Sequence, residues 1–486
     1  MIAAEAIERD LIKLLGPDAV AGDAESRQTA CRDWWNEALW WDSSQAQERA
    51  PACVVRPKND DELSNFLAWA NRRGLGVVAR GGGSGVCGSA VPARPESIIL
   101  DTARLNRILS LIEGPDPRVI VQAGMLGGAL QRELNQKGYS LKHIPGSLEI
   151  STVGGWIATG SYGQLSTRHG GIDEQLGTIR AANPDGAIAQ RSAGEMLRSE
   201  GSLGVITEAA LKIHPISKRH FSLSCEFPDL ETGLSFIREL IQSGAPPSLC
   251  RLYDPFEAQS AGLAYTRLPF FSSEERRFQL RFFLLRHIGL VRLLRLIPGL
   301  FRGWLCIMGF DEDQEDHWNR AQCLIRKEKI LISAKEGRLW LAQRSQWNAP
   351  KRAALTQAGC FVDTIDVWAG WKEIGLIYER FVRDISPLAL VMGHASHFNE
   401  KGACFFFIMA AQASSSKDLP RLYRRVWRDA MESVIAAGGQ INHHHGIGLA
   451  KLPWKTRAYP EIFLDQMAER KRRMDPSGIM NPGKFI

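Results

Sequence analysis

An α+β fold in more than one domain is predicted, and three observations carry it. The chain has 486 residues, more than one ordinary domain holds, so two or three are expected. From Pro51 onward short β-rich runs alternate with helical ones. Two of those β-rich runs flank Asn183-Pro184-Asp185-Gly186, a strong hairpin signal. The expected division is a helical segment over 1–49, an α+β domain over 50–217, a second α+β domain over 218–430, and a helical C-terminal segment over 431–486.

Each element follows from local pattern. Residues 1–16 mix acids into apolar positions, as an amphipathic helix does and a signal peptide does not. Asn59 and two aspartates precede an apolar-periodic run, the signature of a helix N-terminus. "SIILD" and "RVIVQAG" read as short strands, "LGGALQRELNQKG" as a helix stopped by Gly138, and "VITEAALKIHP" as a strand stopped by Pro215. Residues 31–42, "CRDWWNEALWWD", hold four of the 14 tryptophans, and packing is their expected use.

Composition narrows the function. Hydrophobic residues make up 44% and charged ones 23%, ordinary for a soluble globular protein. A net charge of +7 is only mildly basic, and with no nucleic-acid-binding motif no such partner is expected. The nine cysteines are odd in number and show no CxxC spacing. That suits buried thiols in a reducing compartment, so a cytoplasmic location is expected. No stretch of 18 uncharged apolar residues is present, so no spanning helix is predicted.

Three glycine-rich stretches carry the chemistry. Arg80–Gly88, "RGGGSGVCG", follows a strand. Its glycines let backbone N–H groups close on a phosphate, although a tight turn is the plainer reading. It is not a Walker loop and is a poor dinucleotide fingerprint. "HIPGSLEISTVGGWIATGSYG" (143–163) and "SEGSLGVITEAALKI" (199–213) add small side chains and free backbone donors, as a long cofactor bearing a diphosphate requires.

Together, in this order, the three resemble the flavin domain of the vanillyl-alcohol-oxidase and p-cresol-methylhydroxylase (PCMH-type) superfamily. The wording is most similar to alkyl-dihydroxyacetonephosphate synthase and its bacterial relatives, over about 50–220 and 390–486. The resemblance implies a two-subdomain FAD-binding domain and, over 218–430, a cap or substrate domain with an antiparallel sheet. Gly81, Gly82, Gly83, Ser84, Gly85 and Val86 would cradle the diphosphate. Gly146, Ser147, Leu148, Glu149, Ile150, Ser151 and Thr152 would line the cofactor, with Thr159, Gly160, Ser161 and Tyr162. Glu200, Gly201, Ser202, Leu203, Gly204, Val205 and Ile206 would complete the wall. Superfamily members with a covalent flavin often have a His in the glycine loop. Ser84 stands there, so non-covalent FAD is expected. The tail "NPGK" (Asn481–Lys484) also resembles flavin-linked dehydrogenases, a solvated terminus being the alternative.

"GGQINHHHGIG" (438–448) sets His443, His444 and His445 side by side between glycines. Histidine exchanges protons near neutral pH. In a strand alternate residues face opposite ways, so convergence of all three requires an irregular turn. The resemblance implies that they transfer protons and hold substrate, with an active-site Arg whose best match is Arg352, a surface salt bridge being the alternative. Arg251, Phe406 and His397 are the expected substrate-facing residues. A metal reading lacks its partners: "GHASH" supplies His394 and His397, but the accompanying acidic run is missing and His444 takes the Glu position, so no metal is expected. The synthases carry a functional Tyr where this chain has Phe406. That departure favours ordinary flavin oxidoreduction of a hydroxylated, lipid-like substrate over the redox-neutral transferase reaction of ether-lipid synthesis. A non-catalytic flavoprotein is a third reading, against which the intact histidines stand.

Residues 276–303 hold seven Arg, no acid, and many Leu, Ile and Phe. The pattern fits an interfacial helix on an anionic membrane; a solvated helix with its Leu side on the cap is the alternative. Peripheral contact with the inner face of the membrane is therefore the expectation, and a homodimer is left open.

Overall fold

The computed structural model describes residues 4–94, 96–260, 303–333 and 358–485, with 283, 290, 293, 337, 340 and 356 as isolated positions. The chain divides into two compact units. The first comprises 1–163, 170–216 and 444–486; the second comprises 164–169 and 217–443. The N-terminal helix Ala4–Leu15 buries Ile7 and Leu11 in the first unit's core, and the chain's end returns there to bury Ile479 and Met480.

The first unit has two main sheets, as the two-subdomain expectation requires. A four-stranded sheet runs Val20–Ala21, Val54–Val55, Ile98–Asp101, Val77–Arg80, its last three strands parallel. Parallel strands of one sheet need a crossover. Helix Asp60–Arg72 provides one, capped where Asn59 accepts from the Glu62 amide at 2.9 Å. Its buried Leu63, Phe66, Leu67 and Ala70 are the apolar periodicity of the sequence turned inward. The second sheet is antiparallel, in the order Ile108–Ile112, Arg118–Gln122, Val205–Lys212, Leu176–Ala182, Ile188–Arg191. The last two strands form the expected hairpin, closed where Asn183 accepts from Gly186 at 2.9 Å.

The second unit is built on a seven-stranded antiparallel sheet. Its order is Leu331–Ser333, His220–Phe227, Trp304–Asp311, Leu249–Tyr253, Leu390–Ser396, Gly402–Gln412, Cys360–Gly370. Helices Leu230–Gln242, Glu315–Lys327, Ile374–Ile385 and Leu419–Ala436 pack on one face. Phe227 meets Phe236, Phe310 meets Trp318, and Phe407 stacks on Phe381 at 3.8 Å between ring centroids. Asp363, buried on that side, accepts from Tyr423 Oη at 2.7 Å and Trp427 Nε1 at 3.0 Å. Side chains alternate along each strand, so the register fixes what the opposite face carries. Tyr253, His394, Phe406 and Asp366 lie in one cross-strand row. Arg251, Ser396 and Cys404 lie in the next.

Candidate active site

In the first unit the three glycine-rich runs converge. The loop after strand Val77–Arg80 lies against 150–152: a Cβ on Gly82 would run into the Ile150 carbonyl, and one on Gly81 into Thr152. Gly83 has φ +61°, where an L side chain is strained. The third run is tied to the second, since the Glu200 amide donates to Ala158 O at 2.8 Å. A Cβ on Gly201 would lie 3.3 Å from Ala79.

Many side chains of these runs are spent on bracing. Ser151 Oγ accepts from buried Trp156 Nε1 at 2.7 Å, and Thr152 caps helix Val153–Thr159. Thr159 donates to Gly155 O at 3.0 Å, and Ser161 Oγ bonds His143 Nε2 at 2.8 Å. Burial holds His143 down at about 3, so it is neutral. Glu149 turns to Arg132 at 2.8 Å, half exposed. Glu200, expected on the cofactor, also braces the site. Its buried carboxylate accepts from the amides of Ile447 at 2.6 Å and Gly448 at 2.9 Å, and from Ser89 Oγ at 2.6 Å. It thus fixes the loop that follows the histidines.

The triple histidine straddles the division, His443 belonging to the second unit and His444 to the first. The imidazole of His444 is 5.9 Å from the Tyr162 ring and 4.7 Å from that of His445, between centroids. Positive φ at Gly446 (+85°) and Gly448 (+50°) makes the irregular turn that the sequence required. In the second unit the His443 amide donates to buried Asp366 Oδ2 at 2.8 Å. The His443 ring stacks at 5.8 Å on His397, whose Nδ1 pairs with Ser166 Oγ. His397 in turn meets the edge of Phe406 at 5.5 Å, and His394 stacks on Phe406 at 5.0 Å. Two of the expected substrate-facing residues, His397 and Phe406, therefore form one cluster with the expected catalytic residue His443. Arg251 joins it through His394, with Nη1 3.2 Å from Nε2. Both nitrogens of His394 face protein groups, Glu257 at Nδ1 and Arg251 at Nε2. Arg352 lies outside the described residues, as does most of 276–303.

Residues 51–191 match the family described as FAD binding domain, and 216–485 match FAD linked oxidases, C-terminal domain. The chain belongs to the FAD-linked oxidases. FAD is therefore its cofactor, and the superfamily expected from the glycine motifs is the right one. This FAD-linked oxidase is 26% identical to an alkyldihydroxyacetonephosphate synthase of Dictyostelium discoideum, over 90% of this chain and 74% of that one. It is 25% identical to a D-lactate dehydrogenase of Archaeoglobus fulgidus, over 89% of this chain and 91% of that one. In fold it is similar to an alkyldihydroxyacetonephosphate synthase structure, at TM-score 0.78, 22% identity and coverage of 98% and 86%. A substrate-bound p-cresol methylhydroxylase matches at TM-score 0.74, 14% identity and coverage of 100% and 97%.

The residues present fit FAD. A loop in which three successive glycines are needed, each because a Cβ would strike Thr152, Ile150 or Arg80, keeps its backbone donors bare for a diphosphate. Behind it stand groups that sequence reasoning missed. Arg80 Nη1 donates to the carbonyls of Ala30 and Arg32, and buried Asp33 accepts from the Trp35 amide at 2.9 Å. The tail is not solvated. Asn481 Nδ2 donates to Glu200 O at 2.5 Å, and Lys484 Nζ donates to Ser89 O at 2.6 Å. The clue was the run "NPGK" itself, whose Asn adopts φ +45°.

Lys484 carries a prediction. Burial pushes its ammonium down to about 7, against the opposing pull of Asp33 and Glu200. Unfolded, it holds its proton to about 10.5. Between these values the unfolded chain binds the extra proton, so stability rises with pH across the window, by at most about 1.4 kcal/mol per pH unit. Asp33, pushed up to about 6 by burial, titrates below that window. Urea midpoints at pH 7 and pH 9 should therefore diverge more in the wild type than in Lys484→Met. Equal increments in the two proteins would contradict this.

Proposed function

We propose that this FAD-linked oxidase is an FAD-dependent oxidoreductase that oxidises a hydroxylated, lipid-like substrate to the carbonyl. The observation that carries the reading is Phe406. Its ring is packed between His394 and His397, so the position where the synthases have a functional Tyr offers no hydroxyl here. What remains is a set of imidazoles. In oxidation the substrate carbon gives up a hydride and its hydroxyl a proton. FAD, when bound, supplies the hydride acceptor. The chain's own part is to orient the alcohol and take its proton on an imidazole of the 443–445 cluster. The test is anaerobic mixing of oxidised enzyme with hydroxy acids, fatty alcohols and acyl-dihydroxyacetonephosphate. Bleaching of the flavin, and turnover with an artificial electron acceptor, are expected from a hydroxylated compound.

The second reading is a redox-neutral alkyl transferase like the synthases, favoured by the intact triple histidine and by the 26% identity over 90% of the chain. Alkyl exchange on acyl-dihydroxyacetonephosphate, with no flavin bleaching by any alcohol, would establish it instead. Peripheral membrane contact through 276–303 is also part of the proposal. Its described apolar residues, Phe283, Leu290 and Leu293, are helical and exposed. Co-sedimentation with anionic vesicles, weakened by salt, is the expected result; equal binding to neutral vesicles, or none, would refute it. No helix among the described residues is long and apolar enough to cross a membrane.

A further inference from the structure

A buried group that the proposed proton transfer does not use stands behind Arg251. His394 Nδ1 lies 2.9 and 3.0 Å from the two carboxylate oxygens of Glu257, and Nε2 lies 3.2 Å from Arg251 Nη1. Chemistry fixes the direction of these bonds. Guanidinium only donates, so Nε2 accepts; a carboxylate accepts, so the imidazole proton sits on Nδ1. The order is therefore Arg251 to His394 to Glu257, with His394 neutral. Burial holds His394 below the usual imidazole value in spite of Glu257. Glu257 is itself set in place by the start of helix Pro255–Ser260, where its amide donates to Asp254 Oδ1 at 2.6 Å. The guanidinium lies 5.2 Å from the Trp340 ring centroid, a stacking contact that orients a planar group. Its Nε is buried with no hydrogen-bond partner among the described residues, although Arg251 as a whole is partly exposed.

A cation clamped on one edge, with a buried donor unspent, is a receptor awaiting an anion. We propose that Glu257 and His394 are positioning residues that hold Arg251 to receive a carboxylate or phosphate on the substrate. This deepens the oxidoreductase reading by making its substrate anionic. The pair differs from a metal arrangement, because the imidazole lone pair that would ligate an ion is spent on the guanidinium.

The test uses oxidised, FAD-loaded protein and needs no turnover, so its outcome is separate from that of the bleaching experiment. Oxalate and inorganic phosphate are titrated calorimetrically into the wild type, Arg251→Lys, His394→Gln and His394→Phe. One of the two anions binds the wild type, and which one separates the carboxylate source from the phosphate source. Arg251→Lys loses roughly tenfold or more, about one charge-assisted hydrogen bond. Gln at 394 can donate to Glu257 and accept from Arg251, so affinity stays within about threefold of the wild type. Phe keeps the stack on Phe406 but breaks the relay, and affinity falls with Arg251→Lys. Should an unpaired Glu257 unfold that variant, Glu257→Leu combined with His394→Phe serves the same arm. The proposal is overturned if the wild type binds neither anion, if Phe at 394 binds as well as His, or if Gln is as weak as Phe.

Discussion

His444→Ala is expected to leave FAD bound and to lower turnover by roughly 10²–10⁴-fold, the ordinary contribution of a positioned proton-transfer group. The separation of the two effects follows from how the loop is held. Glu200 grips it through the backbone amides of Ile447 and Gly448, and positive φ at Gly446 and Gly448 sets its path. None of that depends on the His444 side chain. Its imidazole stands beside Tyr162 and His445, within the same compact unit as the glycine loop. Removing it takes away a proton carrier while the cofactor runs stay braced by Ser151, Trp156 and Thr152. The check is flavin content by absorbance beside steady-state rates with an artificial acceptor. Wild-type rates would remove His444 from the mechanism; loss of flavin would make it a structural residue.

What the sequence disclosed and what it hid divide along a physical line. The glycine loop was legible because close backbone approach leaves no alternative to glycine, as at Gly82 against Ile150. The histidine turn was legible because three adjacent imidazoles between glycines have few structural uses. The antiparallel sheet of the second unit was legible as a class, but not its register. Without the register, no reading could set His394 opposite both Tyr253 and Phe406. Glu257 lies 137 positions from its partner His394, and nothing local to either marks the pairing. Asp366 was visible only as one acid in a strand; its service to the His443 amide is tertiary. The tail was readable as a motif, while its burial against Ser89 and Glu200 comes from the fold. Arg352 falls outside the described residues, and its role stands as the resemblance implied.

Glu200→Ala should remove activity without touching a single imidazole. Glu200 sits at φ +48°, a conformation costly for a non-glycine residue, so its surroundings must hold it there. They do so from every side. Its amide donates to Ala158 O, its carbonyl accepts from Asn481, and its carboxylate accepts two amides and the Ser89 hydroxyl. Truncation leaves the amides of Ile447 and Gly448, both in buried residues, without their acceptor. Bonds to a charged group contribute about 1.5–3 kcal/mol each, and orphaned buried donors cost about 1–3 kcal/mol. A loss of about 3 kcal/mol or more is therefore expected, concentrated in the loop that carries His444 and His445. Hydrogen exchange at 446–449 should accelerate, and turnover should fall to the level of His444→Ala. Flavin content should drop as well, because Ser89, at the end of the glycine loop, loses the same anchor. Glu200→Gln can accept through one atom only and turns its NH₂ toward another donor, so it should fall between wild type and Ala. Unchanged exchange at Ile447 and Gly448 in Glu200→Ala would mean that the loop is held by something else, and the carboxylate would then lose the role assigned to it.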